Sequence, residues 1–259
     1  MSASAPAISV QRVARRFGRV TAVNDVSLDI GEGEFLAVVG ASGSGKTTLL
    51  RLMNRLIAPD TGRIVIHGED IAASDAVALR RRIGMVFQSG ALFPHMSVAD
   101  NIGITPRLTG EQRQEIATRI DEMMALVQLA PGLRARRPHE LSGGQRQRVG
   151  VARALAAGPR IVLMDEPFGA LDPLTRDTLG EDYRALHARL GLVTVMVTHD
   201  ITEALLLADR IAVMHEGRLV AVADPKRISQ SGEPFVRDLL RAPRRQAERL
   251  AALLTQGTR

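Results

Sequence analysis

Apolar stretches alternate with short turn signals through the first forty residues. Ile8-Ser-Val10, Val26-Ser-Leu28-Asp-Ile30 and Phe35-Leu-Ala-Val-Val39 are separated by Phe17-Gly18 and Gly31-Glu-Gly33, the pattern of strands joined by hairpins. A glycine-rich stretch, 40–45, opens a helical pattern from residue 46 to about 56 that Pro59 stops, and Gly62-Arg-Ile-Val-Ile-His-Gly68 reads as another hairpin. Two β layers bracketing one helix are therefore expected. Residues 97–158 are mostly helical in period; within 111–129, Ile116, Ile120, Met123, Met124 and Val127 share one face, which predicts a helical insert. Beyond it the pattern returns to strand and helix: 161–164, a helix near 173–190, 193–197, a helix near 200–208, then 210–214 with 218–223. That alternation predicts parallel strands with crossover helices. The Arg- and Ala-rich stretch 242–259 is expected to be a helix with a frayed tip.

The chain's 259 residues, 45% of them hydrophobic, can bury a full core. No segment approaches the roughly 18 consecutive apolar residues of a membrane helix, and Met1-Ser-Ala-Ser-Ala-Pro6 lacks the apolar core of a signal peptide. Any membrane link is expected to be peripheral. The absence of cysteine rules out disulfides and thiolate metal sites. A formal charge of +6, carried mainly by Arg, favours phosphates, nucleic acid or an anionic surface alike. With no Trp, one Tyr and six Phe, the chain is poor in platforms for stacking single-stranded nucleic acid, and no nucleic-acid partner is expected.

Chemistry first appears at Gly40-Ala41-Ser42-Gly43-Ser44-Gly45-Lys46-Thr47, a phosphate-loop pattern between an apolar strand and a helix. Glycines let successive backbone N–H groups converge on phosphates, the helix start adds positive potential, Lys46 supplies charge, and Thr47 offers a hydroxyl to Mg²⁺. A flexible glycine turn would explain the glycines but not Lys-Thr at the helix start. Thr48 completes the candidate nucleotide-binding stretch. The apolar run Ile161-Val-Leu-Met164 ends in Asp165-Glu166-Pro167. Ligands of open α/β sheets sit at such carboxyl ends, so Asp165 can support Mg²⁺ and Glu166 can act as general base on a hydrolytic water.

Leu141-Ser142-Gly143-Gly144-Gln145, leading into the Arg/Ala-rich stretch 146–157, resembles the signature loop of the ATP-binding-cassette (ABC) ATPases. Ser142 and the N–H groups of Gly143 and Gly144 form a second anion site at a helix start. The resemblance implies an α/β fold: a P-loop NTPase core with a parallel sheet, an antiparallel β subdomain and a helical insert. It also implies a head-to-tail, ATP-dependent homodimer in which residues 142–145 of one subunit close over ATP held by the other's phosphate loop. Other family positions fall in order. Phe17 stands where an aromatic ring stacks on adenine, with Phe in place of the commoner Tyr. Gln88 occupies the γ-phosphate-sensing loop, where it also serves the metal. Asp172 closes Ala-Leu-Asp, preceded by Gly169 where Ser is frequent, and His199 follows Val-Met-Val-Thr. The implied catalytic set is Glu166, His199 and Gln88, with Thr47, Gln88 and Asp165 toward Mg²⁺.

The resemblance covers about residues 8–240 and divides the chain into an ATPase domain, 1–240, with a helical subdomain at about 89–158, and a short basic tail, 241–259. Gln88-Ser-Gly-Ala-Leu-Phe-Pro94-His95-Met-Ser-Val-Ala-Asp-Asn101-Ile resembles the importer branch, where this region meets integral membrane permease subunits; Phe93 and Met96 are candidate exposed contacts. Leu79-Arg-Arg-Arg-Ile-Gly84 and Phe168-Gly-Ala-Leu-Asp-Pro-Leu-Thr-Arg-Asp177 look most like the glycine betaine, carnitine and choline importers, and sulfonate and nitrate importers share part of the latter. The implied function is ATP hydrolysis at the cytoplasmic face of the membrane, driving solute uptake with a substrate-binding protein as indirect partner. A soluble ABC protein of DNA repair or the ribosome is the rival class. Many osmoprotectant-importer ATPases carry C-terminal regulatory modules, whereas this chain has a short basic tail in that place, so gating through such modules is not expected. The tail's arginines Arg241, Arg244, Arg245 and Arg249 read as a solvated helix face or a contact with anionic headgroups.

Overall fold

The computed structural model describes residues 5–256; the first four residues and the last three of the expected frayed tip lie outside the described residues. In chain order the elements are β1 Ile8–Phe17, β2 Val20–Ile30, β3 Phe35–Val39, α1 Lys46–Met53, β4 Thr61–Ile66, β5 Glu69–Asp70, α2 Ala76–Arg82 and β6 Ile83–Val86. There follow α3 Val98–Ile102, α4 Ile104–Thr109, α5 Arg113–Leu126 and α6 Gly143–Leu155, then β7 Ile161–Asp165, α7 Pro173–Leu190, β8 Val193–Thr198 and α8 Ile201–Leu207. The chain closes with β9 Arg210–His215, β10 Arg218–Ala223, α9 Pro225–Ser229 and α10 Pro234–Gln256.

Two sheets form. An antiparallel one runs β2-β1-β4-β5, and a six-stranded one runs β10-β9-β3-β8-β7-β6. In the second, β9, β3, β8, β7 and β6 are parallel neighbours. The strands β3 and β8 are buried at every residue, because helices and the other sheet cover both faces, and their unbroken apolar runs follow from that. Helix α1 lies between the layers, against β7 and β8 on one side and β2 on the other. One apolar core fills this space; a second joins the opposite face of the large sheet to α5, α6, α7 and α8. The predicted face of α5 holds at Ile116, Ile120 and Met124, which are buried with the C-cap Val127, while Met123 is only partly buried.

Four expectations change. Helix α1 ends at Met53, with Asn54 as its C-cap, three residues earlier than the pattern suggested; the next residue, Arg55, takes a left-handed φ of 48° that no helix continues. Strand β6 went unpredicted because it has four residues, between an Arg triplet and Phe87; parallel pairing of Ile83 with Ile161 through Val86 with Met164 creates it. Strand β10 is antiparallel to β9, turning at Glu216-Gly217, so the last pair is a hairpin rather than a crossover. Helix α10 starts at Pro234 and crosses the expected 240/241 boundary, since Val236 and Leu240 are buried in the core and Phe235 stacks on His215 at 4.0 Å.

A buried polar chain ties α7 to the sheet. His187 Nε2 lies 3.2 Å from the Gly33 carbonyl and Nδ1 lies 2.9 Å from Thr194 Oγ1, which is also 2.9 Å from Tyr183 Oη. A carbonyl only accepts, so the neutral ring donates from Nε2, Thr194 donates to Nδ1, and Tyr183 donates to Thr194. Burial, helped by the Arg184 charge, holds the His187 imidazole below the ordinary histidine range. The unfolded chain therefore binds a proton there that the folded chain refuses, and stability falls as pH drops from the ordinary histidine range toward the lowered folded value. Urea midpoints at neutral and mildly acidic pH should show this loss in the wild type and a flatter profile in H187Q.

Candidate functional site

Four loops leave the carboxyl ends of neighbouring parallel strands and meet in one cleft. The phosphate loop follows β3, Gln88 follows β6, Asp165 and Glu166 end β7, and His199 follows β8. Chain order scatters these groups over about 160 residues; strand order makes them adjacent.

The phosphate loop is wedged between backbones. A Cβ on Gly45, whose φ is 100°, would lie 2.0 Å from the Ala22 carbonyl oxygen of β2, and one on Gly40 would lie 2.1 Å from the Met214 carbonyl oxygen of β9. The loop is also hydrogen-bonded to the β9–β10 turn, where the Gly217 N–H donates to the Ser44 carbonyl at 3.1 Å. Ala41, Ser42 and Gly43 are exposed, whereas Ser44 is buried and its hydroxyl has no protein partner. Lys46 is 5% exposed and donates to the carbonyls of Gly40 and Ala41 at 2.8 and 2.9 Å. Burial pulls its ammonium below the ordinary lysine range, and the charges of Glu166 and Asp165 pull it back up. Thr48 is half-buried in the first turn of α1.

Opposite the loop, Thr47 Oγ1 donates to Asp165 Oδ1 at 2.9 Å. Glu166 holds a left-handed φ of 46°, a strain of about 1–2 kcal/mol for a residue with a Cβ, and its N–H is tied to the Val197 carbonyl at 2.9 Å. The carboxylate thereby reaches both flanking loops: Gln88 Nε2 donates to Glu166 Oε2 at 3.4 Å, and His199 Nδ1 lies 3.3 Å from the same oxygen. A Cβ on Gly169 would stand 3.5 Å from that oxygen and 3.6 Å from Gln88 Nε2, so a Ser there would fit at ordinary contact distance. Glu166 is partly exposed and His199 exposed, so both side chains are open to the cleft.

The remaining predicted residues lie elsewhere. Phe17, 47% exposed at the end of β1, has the Arg15 guanidinium 4.9 Å from its ring. Ser142 caps α6: its hydroxyl accepts from the Gln145 N–H at 3.2 Å, and Gln145 Oε1 accepts from the Ser142 N–H at 2.9 Å. Helix α6 packs on β6, α3, α5 and α7, none of which carries the phosphate loop. Asp172 caps α7 by accepting from the Thr175 N–H at 3.0 Å, and hydrogen bonding from the Thr175 side chain, then from that N–H, holds its carboxyl below the ordinary range.

Several shaping residues escaped the sequence reading. Asn101, fully buried, binds the Phe93 N–H with its oxygen at 2.8 Å and approaches the carbonyls of Phe93, Met96 and Ser97 with its nitrogen at 3.0–3.3 Å. The loop it organises exposes Phe93 but leaves Met96 half-buried, so only the former is an exposed contact. Arg153, 9% exposed, donates to the carbonyls of Gly90 and Ala91 at 2.8 and 2.9 Å, clamping the segment after Gln88 to α6. A polar residue inside an apolar helical face was the only signal for either.

A family model described as ABC transporter matches residues 23–169. The chain is 49% identical over 231 residues to the glycine betaine uptake system ATP-binding protein YehX of Escherichia coli, covering 89% of this chain and 75% of that one. The chain belongs to the ABC transporter family. It is an ATP-binding, ATP-hydrolysing subunit of that family. The glycine betaine/carnitine/choline transport ATP-binding protein OpuCA of Bacillus subtilis is 48% identical over 86% of this ABC subunit, which spans 59% of that relative's length. Among solved structures, a dimeric ATP-binding cassette in a post-hydrolysis state bound to ADP and Pi matches with a TM-score of 0.76 and 32% identity, over 84% of this chain and 98% of that one.

The wedge distinguishes two glycines of the loop. At Gly43, where φ is 78°, a Cβ would meet nothing within 4 Å, so G43A should cost only backbone strain of about 1 kcal/mol and keep nucleotide binding. G45A should drive the loop off β2 and lower affinity for a fluorescent ATP analogue at least tenfold, read by equilibrium titration of both variants.

Proposed function

We propose that this ABC subunit hydrolyses ATP with Glu166 as general base and thereby energises an importer of small quaternary amines of the glycine betaine, carnitine and choline class. The observation that carries the hydrolytic part is the convergence of Gln88 and His199 on one oxygen of Glu166, beside a Thr47–Asp165 hydrogen bond. In this reading the backbone N–H groups of residues 40–48 and the Lys46 ammonium hold the phosphates, and Phe17 stacks on the adenine. Glu166 accepts a proton from water, Gln88 orients that water, and His199 stabilises charge developing on the γ-phosphate. The donor set at Thr47, Asp165 and Gln88 is all oxygen, which suits Mg²⁺; when bound, it would neutralise phosphate charge.

Because residues 142–145 and the phosphate loop are separate half-sites on one chain, a head-to-tail homodimer completes two ATP sites, with Asp172 at the seam. The dimeric cassette that this chain resembles supports that arrangement. Closure on ATP would shift permease subunits through residues 88–101, where Phe93 is exposed, and hydrolysis would reopen the dimer. Among the described residues no helix is long and apolar enough to cross a membrane; in this reading the subunit acts peripherally at the cytoplasmic face, beneath a permease served by a substrate-binding protein. In this reading residues 1–240 are the ATPase domain, with a helical subdomain at about 89–158, and 241–259 a short basic tail, the junction lying within α10.

E166Q should bind ATP with unchanged affinity and hydrolyse it about 10²–10³-fold more slowly, measured by phosphate release. Cells carrying the wild-type chain should take up radiolabelled glycine betaine, carnitine or choline, and cells carrying E166Q should not. Uptake of sulfonate or nitrate controls alone would overturn the cargo while keeping the engine; no uptake of any solute would overturn transport.

A further inference from the structure

Behind the cleft, Arg176 joins two loops that the hydrolytic mechanism uses separately. It sits one turn into α7 with a side chain 27% exposed, and its three guanidinium nitrogens go to three places. One Nη donates to the Leu171 carbonyl at 3.3 Å, the other to Asp200 Oδ2 at 3.4 Å, and Nε lies 3.6 Å from Glu203 Oε1 with no other partner. Glu203 is 8% exposed, and its second oxygen accepts from Thr198 Oγ1 at 2.7 Å. Thr198 Oγ1 in turn accepts from the Asp200 N–H at 3.0 Å. Thr198 and Asp200 are the residues on either side of His199. Burial, helped by the Asp200 charge, pushes the Glu203 carboxyl above the ordinary range, while the Thr198 hydrogen bond and the Arg176 charge pull against it.

The other end of the tie leads to the second half-site. Leu171 Cδ2 lies 3.5 Å from where a Cβ on Gly143 would stand, and Thr175 Cγ2 lies 2.7 Å from the corresponding point on Gly144. A run of contacts therefore leads from residues 143–144 through residues 171–175 to Arg176, then to Asp200 and Glu203, and ends at His199, whose ring faces Glu166. A guanidinium suits the junction because its planar fork can hold a carbonyl and two carboxylates in fixed directions at once, which a lysine ammonium cannot.

We propose that Arg176, with Glu203, is a positioning residue for hydrolysis: it sets the backbone that carries His199 according to the seating of residues 143–144 and 171–175. The inference rests on the proposed hydrolytic role of Glu166 and His199, and neither Arg176 nor Glu203 touches the reacting atoms. The residue acts on turnover rather than on nucleotide affinity, since its guanidinium bonds go to Leu171, Asp200 and Glu203 and none goes to residues 40–48.

The test compares R176M, R176K, E203Q and the double variant R176M/E203Q in the full-length chain, reading kcat and KM for ATP together with the thermal midpoint. R176M should lower kcat roughly tenfold with KM within about twofold of wild type, as expected for misplacement of a charge-stabilising group. R176K should recover part of that loss. The double variant should match R176M rather than multiply the two losses, because both act through one contact. Amide exchange at residues 198–203 should quicken in R176M while strands β7 and β8 stay protected, a readout that needs no turnover. Multiplicative losses, a rise in KM at unchanged kcat, a kcat loss explained by a lowered midpoint, or unaltered exchange would each overturn the proposal. Wild type that turns over ATP beside an unimpaired R176M refutes the positioning role alone; wild type that binds but never hydrolyses ATP refutes the hydrolytic reading and this proposal with it.

Discussion

The seating of the phosphate loop between two carbonyl oxygens, Ala22 on β2 and Met214 on β9, fixes the geometry of everything around it. Only glycine can stand at Gly40 and Gly45 when other backbones approach to where a Cβ would be. With the loop pinned to both sheets, α1 starts at a set point and angle, its N–H groups converge on one position, and Lys46 is carried into a desolvated site where the carbonyls of its own loop hold the ammonium. The antiparallel sheet is thus part of what seats the phosphate loop, through a backbone carbonyl rather than a side chain.

The large sheet supplies the second constraint. Its order, β3-β8-β7-β6, places the ends of four strands side by side, so loops distant in sequence reach one another without long side chains. Glu166 gains its place through backbone strain, with φ at 46° and the N–H tied across to Val197. The strain turns the carboxylate out of the strand and toward Gln88 and His199, and the packed sheet beneath is what keeps that conformation populated. The placement is a property of three strands together.

The helical insert shares an apolar core with the large sheet and is fastened to it at specific polar and close-packed points as well. Gly150 of α6 lets the backbone at Gly90 approach, since a Cβ there would stand only 3.0 Å from the Gly90 Cα, and Arg153 secures the same segment through two carbonyls. Asn101 closes the loop beyond it. Gln88 therefore lies on a segment gripped by α6, the helix capped by Ser142. The ion pair of Arg148 with Asp182, at 2.8 Å, adds a bond from α6 to α7.

Local chemistry was enough to read much of this protein from its residues. Largely apolar runs of four or five residues gave β3, β7 and β8, because buried parallel strands have no solvent face to alternate with. Asp172-Pro173 and Gly191 bounded α7 at its observed ends, since caps satisfy backbone groups within the segment itself. The phosphate loop, the carboxylates after β7 and the 141–145 loop were legible because each chemistry demands its residue types at fixed short spacing. Where partners are distant in sequence, the residues were silent. Strand β6 exists through pairing with β7, the start of α10 through packing of Val236 and Leu240. Arg153, Asn101 and Arg176 look like any polar residues in helices until the fold brings carbonyls and carboxylates to them. Hydrogen bonds and burial that form across the chain have no local signature, and they decide where Gln88, Glu166 and His199 meet.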